Sequence, residues 1–263
     1  MNRRPIKLNI ETYPEAIADY LKDAELYDSS CSPQAMVTFI NKDEGCFLKE
    51  AAEGTLKTEA LMMEYLHSLK LSGEVLYYGS LHGKDYLLSR KIQGEDGTHT
   101  DYLSEPERLC DTTASLLRKL HEMDGKDCPV QDRIMTYTDT VKRGFDRRSY
   151  EPDLFKGMWE FPSFSDAKRA AEEGLPLLKK EVLLHGDYCL PNIILNNWEF
   201  SGYIDLDCSG IGDRHMDVLW GIWTLNYNLG TTRYTDRFMD AYGRDRIEPE
   251  KLRMVAAMEM IGG

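Results

Sequence analysis

The first 93 residues carry short apolar runs that are typical of antiparallel strands. These runs are rich in β-branched, aromatic and aliphatic residues, and turn-forming residues separate them. Between the second and third runs, apolar residues recur at three- and four-residue spacing and predict an amphipathic helix over 58–69. The predicted strands cover 35–40, 46–49, 75–79 and 86–89.

Beyond residue 93 the pattern becomes mainly helical. Ser104 and Glu107 have the spacing of a capping box, with Pro106 between them, and a stripe of leucines follows, so we expect a helix to begin here. A weakly periodic segment at 130–165 is expected to move when substrate is captured. A further helix is predicted from Ser165. The remaining predictions are short strands at 182–184, 193–195 and 202–206, and helices at 216–228, 235–242 and 249–261.

These patterns predict an α+β fold with two lobes. Residues 1–93 form a small lobe with an antiparallel sheet and one main helix, and residues 94–263 form a larger, mainly helical lobe. A cleft between the lobes is where we expect a ligand to bind. The total length of 263 residues suits one large domain or two small ones.

Charge narrows the range of partners. The chain has 45 acidic and 32 basic side chains and a net charge of −13, which argues against nucleic acid or an anionic membrane as a partner. The negative charge is compatible with a cationic small molecule as ligand. It is equally compatible with acidic residues that only keep the protein soluble. The six cysteines lack zinc-site spacing, and no apolar stretch reaches the length of a membrane span, so we expect a cytoplasmic protein.

The segment His185 to Asn192 has the residues that phosphoryl transfer requires. An aspartate must orient the attacking hydroxyl, and an amide oxygen with a second carboxylate must hold Mg²⁺ against nucleotide phosphates. Asp187, Asn192 and Asp205 supply these groups in the order of the protein-kinase motif, with Gly186 where that motif has arginine.

The chain resembles the aminoglycoside 3′-phosphotransferase family over almost its whole length. The strongest motifs are HGDYCLPN at 185–192, GYIDLDCSG at 202–210 and GDRHMD at 212–217. The resemblance implies a bilobal protein-kinase-like fold and a Mg²⁺-dependent kinase. Such a kinase transfers the γ-phosphate of ATP or GTP to a hydroxyl group of an aminoglycoside antibiotic, here expected to be the 3′-hydroxyl, and so confers resistance. Weaker matches lie at 31–37, 47–49, 58–66 and 120–129.

Nucleotide-binding residues follow from this resemblance. It implies that Lys49 contacts the α- and β-phosphates and pairs with Glu59, that Ser32 lies in a loop over the triphosphate, and that Phe47 stacks on the base. The chain should cross between the lobes at 89–92, where the backbone would bind the edge of the base. The residues expected there are Ser89, Arg90 and Ile92.

Substrate-binding residues are the least defined part of the resemblance. Glu259 near the end of the chain and Glu160 in MWEF are the candidate carboxylates for a cationic substrate. Asp205 is followed by Leu206, Asp207 and Cys208, where the family commonly has Leu-Gly-Arg. Asp207 is therefore interpreted either as a further contact at the metal site or as a solvent-facing residue.

Several residues near the motifs are expected to be structural. His185 is interpreted as a buried brace of the catalytic loop, and Asp217 as its anchor. Trp220 and Trp223 lie three residues apart and are expected in the core rather than in a sugar-stacking surface.

Two other functions stay open at this point. One is a kinase of the same fold that acts on another hydroxylated amine or sugar. The other is a nucleotide-binding protein that has lost phosphoryl transfer. The presence of all five core kinase residues argues against it; they are Lys49, Glu59, Asp187, Asn192 and Asp205.

Overall fold

The computed structural model describes residues 4–31 and 33–262. Contacts divide the chain into two compact units. The first unit ends at Gly94 and also includes Ser201–Asp207, and the second contains Glu95–Phe200 and the chain from Cys208 onward. Among the described residues, no helix combines the length and the apolar character that a bilayer crossing requires.

The first unit is built on a six-stranded antiparallel sheet. The strands lie in the order β1-β2-β3-β4-β6-β5, so each pair of sequence neighbours except β4 and β5 is also a pair of neighbours in space. The elements are β1 (Arg4–Pro5), α1 (Glu15–Leu21), β2 (Glu25–Asp28), β3 (Met36–Asn41), β4 (Cys46–Ala52), α2 (Lys57–Ser68), β5 (Val75–Leu81) and β6 (Lys84–Arg90).

Alternation along β4 sorts its side chains between the two faces of the sheet. Cys46 and Leu48 are buried in a core that also contains Ile17 and Leu21 of α1. Phe47 and Lys49 are less buried and lie on the opposite face, because successive side chains of a strand point to opposite sides. The strand thus separates its core residues from its candidate functional residues.

The second unit is mainly helical and carries two small sheets. One sheet has the order β10-β9-β7, and the other is the antiparallel pair of β8 and β11. Its helices are α3 (Thr100–Leu103), α4 (Pro106–His121), α5 (Arg133–Arg147), α6 (Phe164–Gly174), α7 (Arg214–Leu229), α8 (Thr235–Tyr242) and α9 (Pro249–Ile261). Its strands are β7 (Glu95–Asp96), β8 (Val182–Leu184), β9 (Ile193–Asn196) and β11 (Gly210–Gly212), and β10 (Glu199–Tyr203) begins in this unit and ends in the first.

Helix α9 lies in the core of this unit, and the neighbouring helices approach it closely. A Cβ atom at Gly144 of α5 would lie 2.1 Å from the carbonyl oxygen of Ile261. Gly144 therefore permits the contact between α5 and α9, although a glycine inside a helix weakens the helix itself.

The segment 130–165 contains the capped helix α5, in which Asp132 accepts a hydrogen bond from the backbone N–H of Met135 at 3.1 Å. Movement of this segment on substrate capture stays a prediction. The structure corrects two other sequence predictions. The capping box does not form, because Ser104 ends α3 and donates to the carbonyl oxygen of Asp101. The strand expected at 202–206 instead covers Glu199–Tyr203.

Residues 201–207 were assigned to the second lobe from the sequence, but their contacts lie in the first unit. The backbone N–H of Tyr203 donates to the carbonyl oxygen of Leu71 at 2.7 Å. The hydroxyl group of Ser72 donates to the carbonyl oxygen of Tyr203 at 3.1 Å. These two hydrogen bonds attach the segment that leads to Asp205 to the first unit.

Candidate active site

Lys49 joins two carboxylates in the first unit. Its Nζ lies 2.8 Å from Glu59 Oε2 and 2.8 Å from Asp205 Oδ1. Strand β4 supplies Lys49, the first turn of α2 supplies Glu59, and the segment after β10 supplies Asp205. Only 5% of the Glu59 side chain is exposed, against 53% for Asp205. Glu59 therefore orients Lys49 from the buried side, while Asp205 stays open to a ligand.

Electrostatics keep Lys49 charged. Burial opposes the charged form, but the Glu59 and Asp205 carboxylates outweigh it and raise the pKa of Lys49. Burial raises the pKa of Glu59, Lys49 offsets part of this shift, and Asp205 and the exposed Asp207 add to it. The cluster has more carboxylates than cations, and carboxylate oxygens are the ligands that Mg²⁺ prefers.

Asp217 anchors the loop 185–192 in the second unit, as the sequence predicts. Its Oδ2 accepts from the backbone N–H of His185 at 2.8 Å, and its Oδ1 accepts from the backbone N–H of Gly186 at 2.8 Å. Asp217 is fully buried, and His121 Nε2 lies 3.1 Å from the same Oδ2. A buried carboxylate with these partners holds the start of the loop in one position.

Gly186 and His185 are structural parts of this loop. Gly186 has a φ of +89°, and a Cβ atom there would lie 1.9 Å from the carbonyl oxygen of Cys208. This contact explains why glycine takes the position that is arginine in protein kinases. His185 is fully buried, and its Nδ1 accepts from the backbone N–H of Asp187 at 3.2 Å, so it braces the loop as expected.

Asn192 holds the Asp187 carboxylate. Its Nδ2 donates to Asp187 Oδ2 at 2.8 Å and to the Asp187 carbonyl oxygen at 3.0 Å. Asn192 is buried, so this pair is fixed, and its amide oxygen is the atom left to serve as a metal ligand. Sequence reasoning did not single out Cys189, the second residue after Asp187 in the same loop. Burial, with the nearby Asp187 charge, raises the pKa of the Cys189 thiol and keeps it protonated.

Glu259 is a buried carboxyl group of α9, and the charge of Asp187 acts on it. The hydroxyl group of Tyr137 on α5 donates to Glu259 Oε1 at 2.9 Å. Burial, with the charge of Asp187, raises the pKa of Glu259 to about 7. Sequence reasoning missed Tyr137 because it missed α5. The Asp132 cap, followed by Tyr137 and Val141 four residues apart, was the available signal.

Replacing Glu259 with glutamine should change how stability depends on pH. A carboxyl group whose pKa is about 7 when folded and 4.5 when unfolded contributes fully below pH 4.5, and this contribution is lost as pH rises through 7. The free energy of unfolding of the wild type should therefore fall by about 3 kcal/mol across this window, and that of Glu259→Gln should not. Urea unfolding of both proteins at pH 5 and pH 8 tests this. If the two proteins differed in unfolding free energy by the same amount at both pH values, the raised pKa of Glu259 would be contradicted.

The other residues predicted to bind the nucleotide include Phe47, Ser89 and Arg90, which all lie on strands of the first unit. Phe47 lies on β4 with its ring 5.1 Å from that of Phe39. Ser89 and Arg90 are the last residues of β6 rather than a crossover, because Ser89 pairs with Phe47 in the sheet. The backbone N–H of Arg90 donates to the Glu74 carbonyl oxygen at 2.9 Å and is occupied.

The structure bears only in part on the predictions for Ile92 and Ser32. Ile92 follows β6, and a Cβ atom at Gly202 would lie 2.8 Å from its Cδ1, so it packs against that segment. Contact of Ile92 with the nucleotide base stays a prediction. Ser32 lies outside the described residues.

Glu160 occupies an exposed turn of the second unit. Its Oε1 accepts from the backbone N–H of Gly157 at 3.1 Å, so the carboxylate stabilises its own turn. Its role toward substrate stays a prediction.

A second cluster of acidic and histidine side chains is structural. Glu181, Asp213 and His215 have potential ligand atoms within 4.8 Å of one another. However, His215 Nε2 accepts from the backbone N–H of Glu248 at 2.9 Å, so Nδ1 carries the proton and donates to Asp213 at 2.6 Å. Both ring nitrogens are used, and no lone pair is left for a metal ion.

Comparison with known proteins identifies the class. A family model described as the phosphotransferase enzyme family matches residues 43–255, so the chain belongs to this family. It is therefore an enzyme that transfers phosphate to a hydroxyl group. The more specific resemblance, to the aminoglycoside 3′-phosphotransferases, is confirmed as well. A probable aminoglycoside 3′-phosphotransferase of Lactococcus lactis is 47% identical over 261 residues, which are 99% of each chain.

Other relatives agree with this placement. An aminoglycoside 3′-phosphotransferase of Niallia circulans is 29% identical over 76% of each chain. The crystal structure of a type VIII aminoglycoside-3′-phosphotransferase has a TM-score of 0.74 at 21% identity and covers 94% of this chain and 100% of that one. An aminoglycoside phosphotransferase of Streptomyces rimosus, solved with ADP and streptomycin, has a TM-score of 0.68 at 20% identity, over 86% and 90% of the two chains. These likenesses confirm the α+β kinase-like fold class.

Proposed function

We propose that the protein transfers the γ-phosphate of ATP or GTP to the 3′-hydroxyl group of an aminoglycoside antibiotic and so confers resistance. The observation that carries most weight for the substrate is the 47% identity to the Lactococcus lactis relative over both whole chains. The fixed Asp187–Asn192 pair and the Lys49–Glu59 ion pair support the transfer chemistry.

In the proposed reaction Asp187 orients the substrate hydroxyl group and accepts its proton. The substrate oxygen forms a bond to the γ-phosphorus as the bond from that phosphorus to the β-phosphate oxygen breaks, and the nucleoside diphosphate leaves. Lys49, held by Glu59, binds the α- and β-phosphates. Catalysis of this kind depends on positioning and charge, which explains why Asp217 and Gly186 fix the loop so tightly.

The available oxygen donors fit Mg²⁺. The amide oxygen of Asn192 and the exposed carboxylate of Asp205 would hold it, and it supplies neutralisation of the phosphate charge when bound. Asp207 is also exposed and acts on Glu59 electrostatically. We assign Asp207 no further role.

Glu259 and Glu160 are the proposed carboxylates for the substrate ammonium groups. Glu259 is the better supported, because the Asp187 carboxylate acts on it electrostatically. A bound ammonium group would also offset the repulsion between these two carboxylates.

A matched pair of substrates tests the proposed function. Kanamycin B has a 3′-hydroxyl group, and tobramycin is the same molecule without it. We expect ADP release from Mg-ATP with kanamycin B and none above background with tobramycin. Equal turnover of the two would place the phosphate elsewhere. Turnover of choline or a simple sugar, with neither antibiotic used, would favour the alternative of a same-fold kinase for another hydroxylated amine or sugar.

Replacing Lys49 with alanine should weaken the binding of nucleotide phosphates specifically. We expect the Kd for ATP to rise by about tenfold or more, because a charge-assisted contact worth roughly 1.5–3 kcal/mol is lost. The Kd for adenosine, which lacks phosphates, should stay within about twofold. Titration calorimetry measures both.

Lys84→Ala is the matched control for this experiment. Lys84 also pairs with a buried glutamate, Glu50, at 3.5 Å, but the Lys84 side chain is 57% exposed. ATP affinity should be unaffected in Lys84→Ala. Equal losses for ATP and adenosine in Lys49→Ala would show that Lys49 supports the fold of the site rather than the phosphates.

A further inference from the structure

A row of three aromatic side chains follows one face of α7 in the second unit. Trp220, Trp223 and Tyr227 are spaced three and four residues apart, which places them on the same side of a helix. The ring centroids of Trp220 and Trp223 lie 5.2 Å apart at an angle of 87°. Those of Trp223 and Tyr227 lie 5.0 Å apart at 18°, a stacked pair. The sequence favoured a core position for both tryptophans, but neither is fully buried.

The inner end of this row reaches the candidate active site. Gly221, the residue after Trp220, packs on Tyr188 of the loop 185–192, since a Cβ atom at Gly221 would lie 3.3 Å from the Tyr188 ring. The backbone N–H of Leu190 in the same loop donates to Thr224 Oγ1 of α7 at 3.0 Å. Phe155 packs on Trp220 with its ring centroid 5.7 Å away. The row therefore begins where α7 packs on the loop that carries the proposed catalytic aspartate.

The middle of the row is held rigidly. Trp223 Nε1 donates to the carbonyl oxygen of Leu154 at 2.8 Å, which fixes the indole plane. Tyr227 lies flat on that plane, so its own ring is fixed as well. A rigid aromatic surface binds a flat partner at little cost in conformational entropy.

The outer end of the row is open. Tyr227 is 71% exposed, the largest exposure among the large hydrophobic side chains found exposed in the described part of the chain. At a rise of 1.5 Å per residue, the seven steps from Trp220 to Tyr227 span about 10 Å along the helix. The row thus leads from the catalytic loop to the surface over a length that exceeds one sugar ring.

We propose that Trp223 and Tyr227 form a platform that binds a distal ring of a multi-ring amino sugar while its reacting ring lies at Asp187. This inference rests on the proposed function and adds a specificity surface to it. An amino sugar fits because aromatic faces attract ammonium groups and pack against the apolar C–H face of a ring. The proposed function supplies such a ring, because an aminoglycoside carries ammonium groups on its sugar rings.

Kanamycin B and neamine test the platform, because neamine is kanamycin B without its third ring. In Tyr227→Ala we expect KM for kanamycin B to rise roughly fivefold to tenfold, with kcat unchanged, because binding that is equal in the ground and transition states is lost. KM for neamine should stay within about twofold. Tyr227→Phe keeps the ring and should match the wild type with both substrates.

Three results would overturn the platform. They are an unchanged KM for kanamycin B in Tyr227→Ala, an equal rise for both substrates, and a Phe variant that behaves like the Ala variant. Thermal unfolding of each variant shows whether a change in KM comes from a destabilised protein. Because Tyr227 is exposed, we expect its replacement to leave the melting temperature unchanged.

Calorimetric binding of kanamycin B separates this proposal from the proposed function. If the wild type binds kanamycin B without phosphorylating it, the proposed function fails, and the Kd values of the three proteins still decide the platform. If the wild type does not bind kanamycin B, both proposals fail. If the wild type phosphorylates kanamycin B and Tyr227→Ala binds it equally well, only the platform fails.

Discussion

Replacing Asp187 with asparagine should lower kcat about a thousandfold and leave the fold intact. The amide cannot accept the hydroxyl proton, and general-base groups contribute roughly 10²- to 10⁴-fold to rate. Its side-chain oxygen can still accept the hydrogen bond that Asn192 Nδ2 donates at 2.8 Å to Asp187 Oδ2. The loop should therefore keep its conformation, and KM for ATP should change little.

Steady-state ADP release with kanamycin B measures this effect. The matched control is Asp139→Asn, which makes the same chemical change at an exposed position of α5. We expect wild-type kcat in the control and a melting temperature within a few degrees of the wild type in both variants. If Asp187→Asn kept more than about a tenth of the wild-type kcat, Asp187 would not be the base.

Replacing Gly186 with alanine should destabilise the protein by about 3 kcal/mol or more. The added Cβ would lie 1.9 Å from the carbonyl oxygen and 2.3 Å from the carbonyl carbon of Cys208, and these backbone atoms cannot rotate away. The φ of +89° adds the strain of a left-handed conformation. Because Asp187 is the next residue, kcat should fall together with stability.

Gly157→Ala is the matched control for this substitution. Gly157 has a φ of +78°, but a Cβ atom there would meet nothing within 4 Å. This variant therefore carries the conformational strain without the clash and should cost only about 1 kcal/mol. Urea unfolding of both variants measures the difference. Equal losses would mean that the clash with Cys208 contributes nothing.

Much of the fold could be predicted from periodicity alone. Helices α8 and α9 and strand β8 match their predicted bounds, and the four predicted strands of the first unit are all present. An element that the sequence pattern did not predict, helix α5, depends on contacts with another helix. Gly144 interrupts the pattern of α5 because it packs on Ile261, so the reason for it lies in another helix.

The site was predictable where its residues are close in sequence. Asp187 and Asn192 lie five residues apart, and their contact follows from a single loop. The pairing of Lys49 with Glu59 was expected from the resemblance and is present at 2.8 Å. The direct contact of Lys49 with Asp205, 156 residues away, was not expected.

The surroundings of Glu259 could not have been predicted from local sequence. Tyr137, Trp220 and Glu259 lie on three helices that meet only in the folded second unit. The same holds for the stacking of Tyr227 on Trp223, since helical spacing predicts a shared face but not which face stays exposed.

Locating the phosphate on the reaction product tests the central claim most directly. Kanamycin B would be incubated with the wild-type protein and Mg-ATP, and the product examined by phosphorus–proton correlation NMR. We expect a single product with its phosphorus coupled to the proton at the 3′ position, and no product with Asp187→Asn. A phosphate on any other hydroxyl group, or ADP release without a phosphorylated sugar, would contradict it.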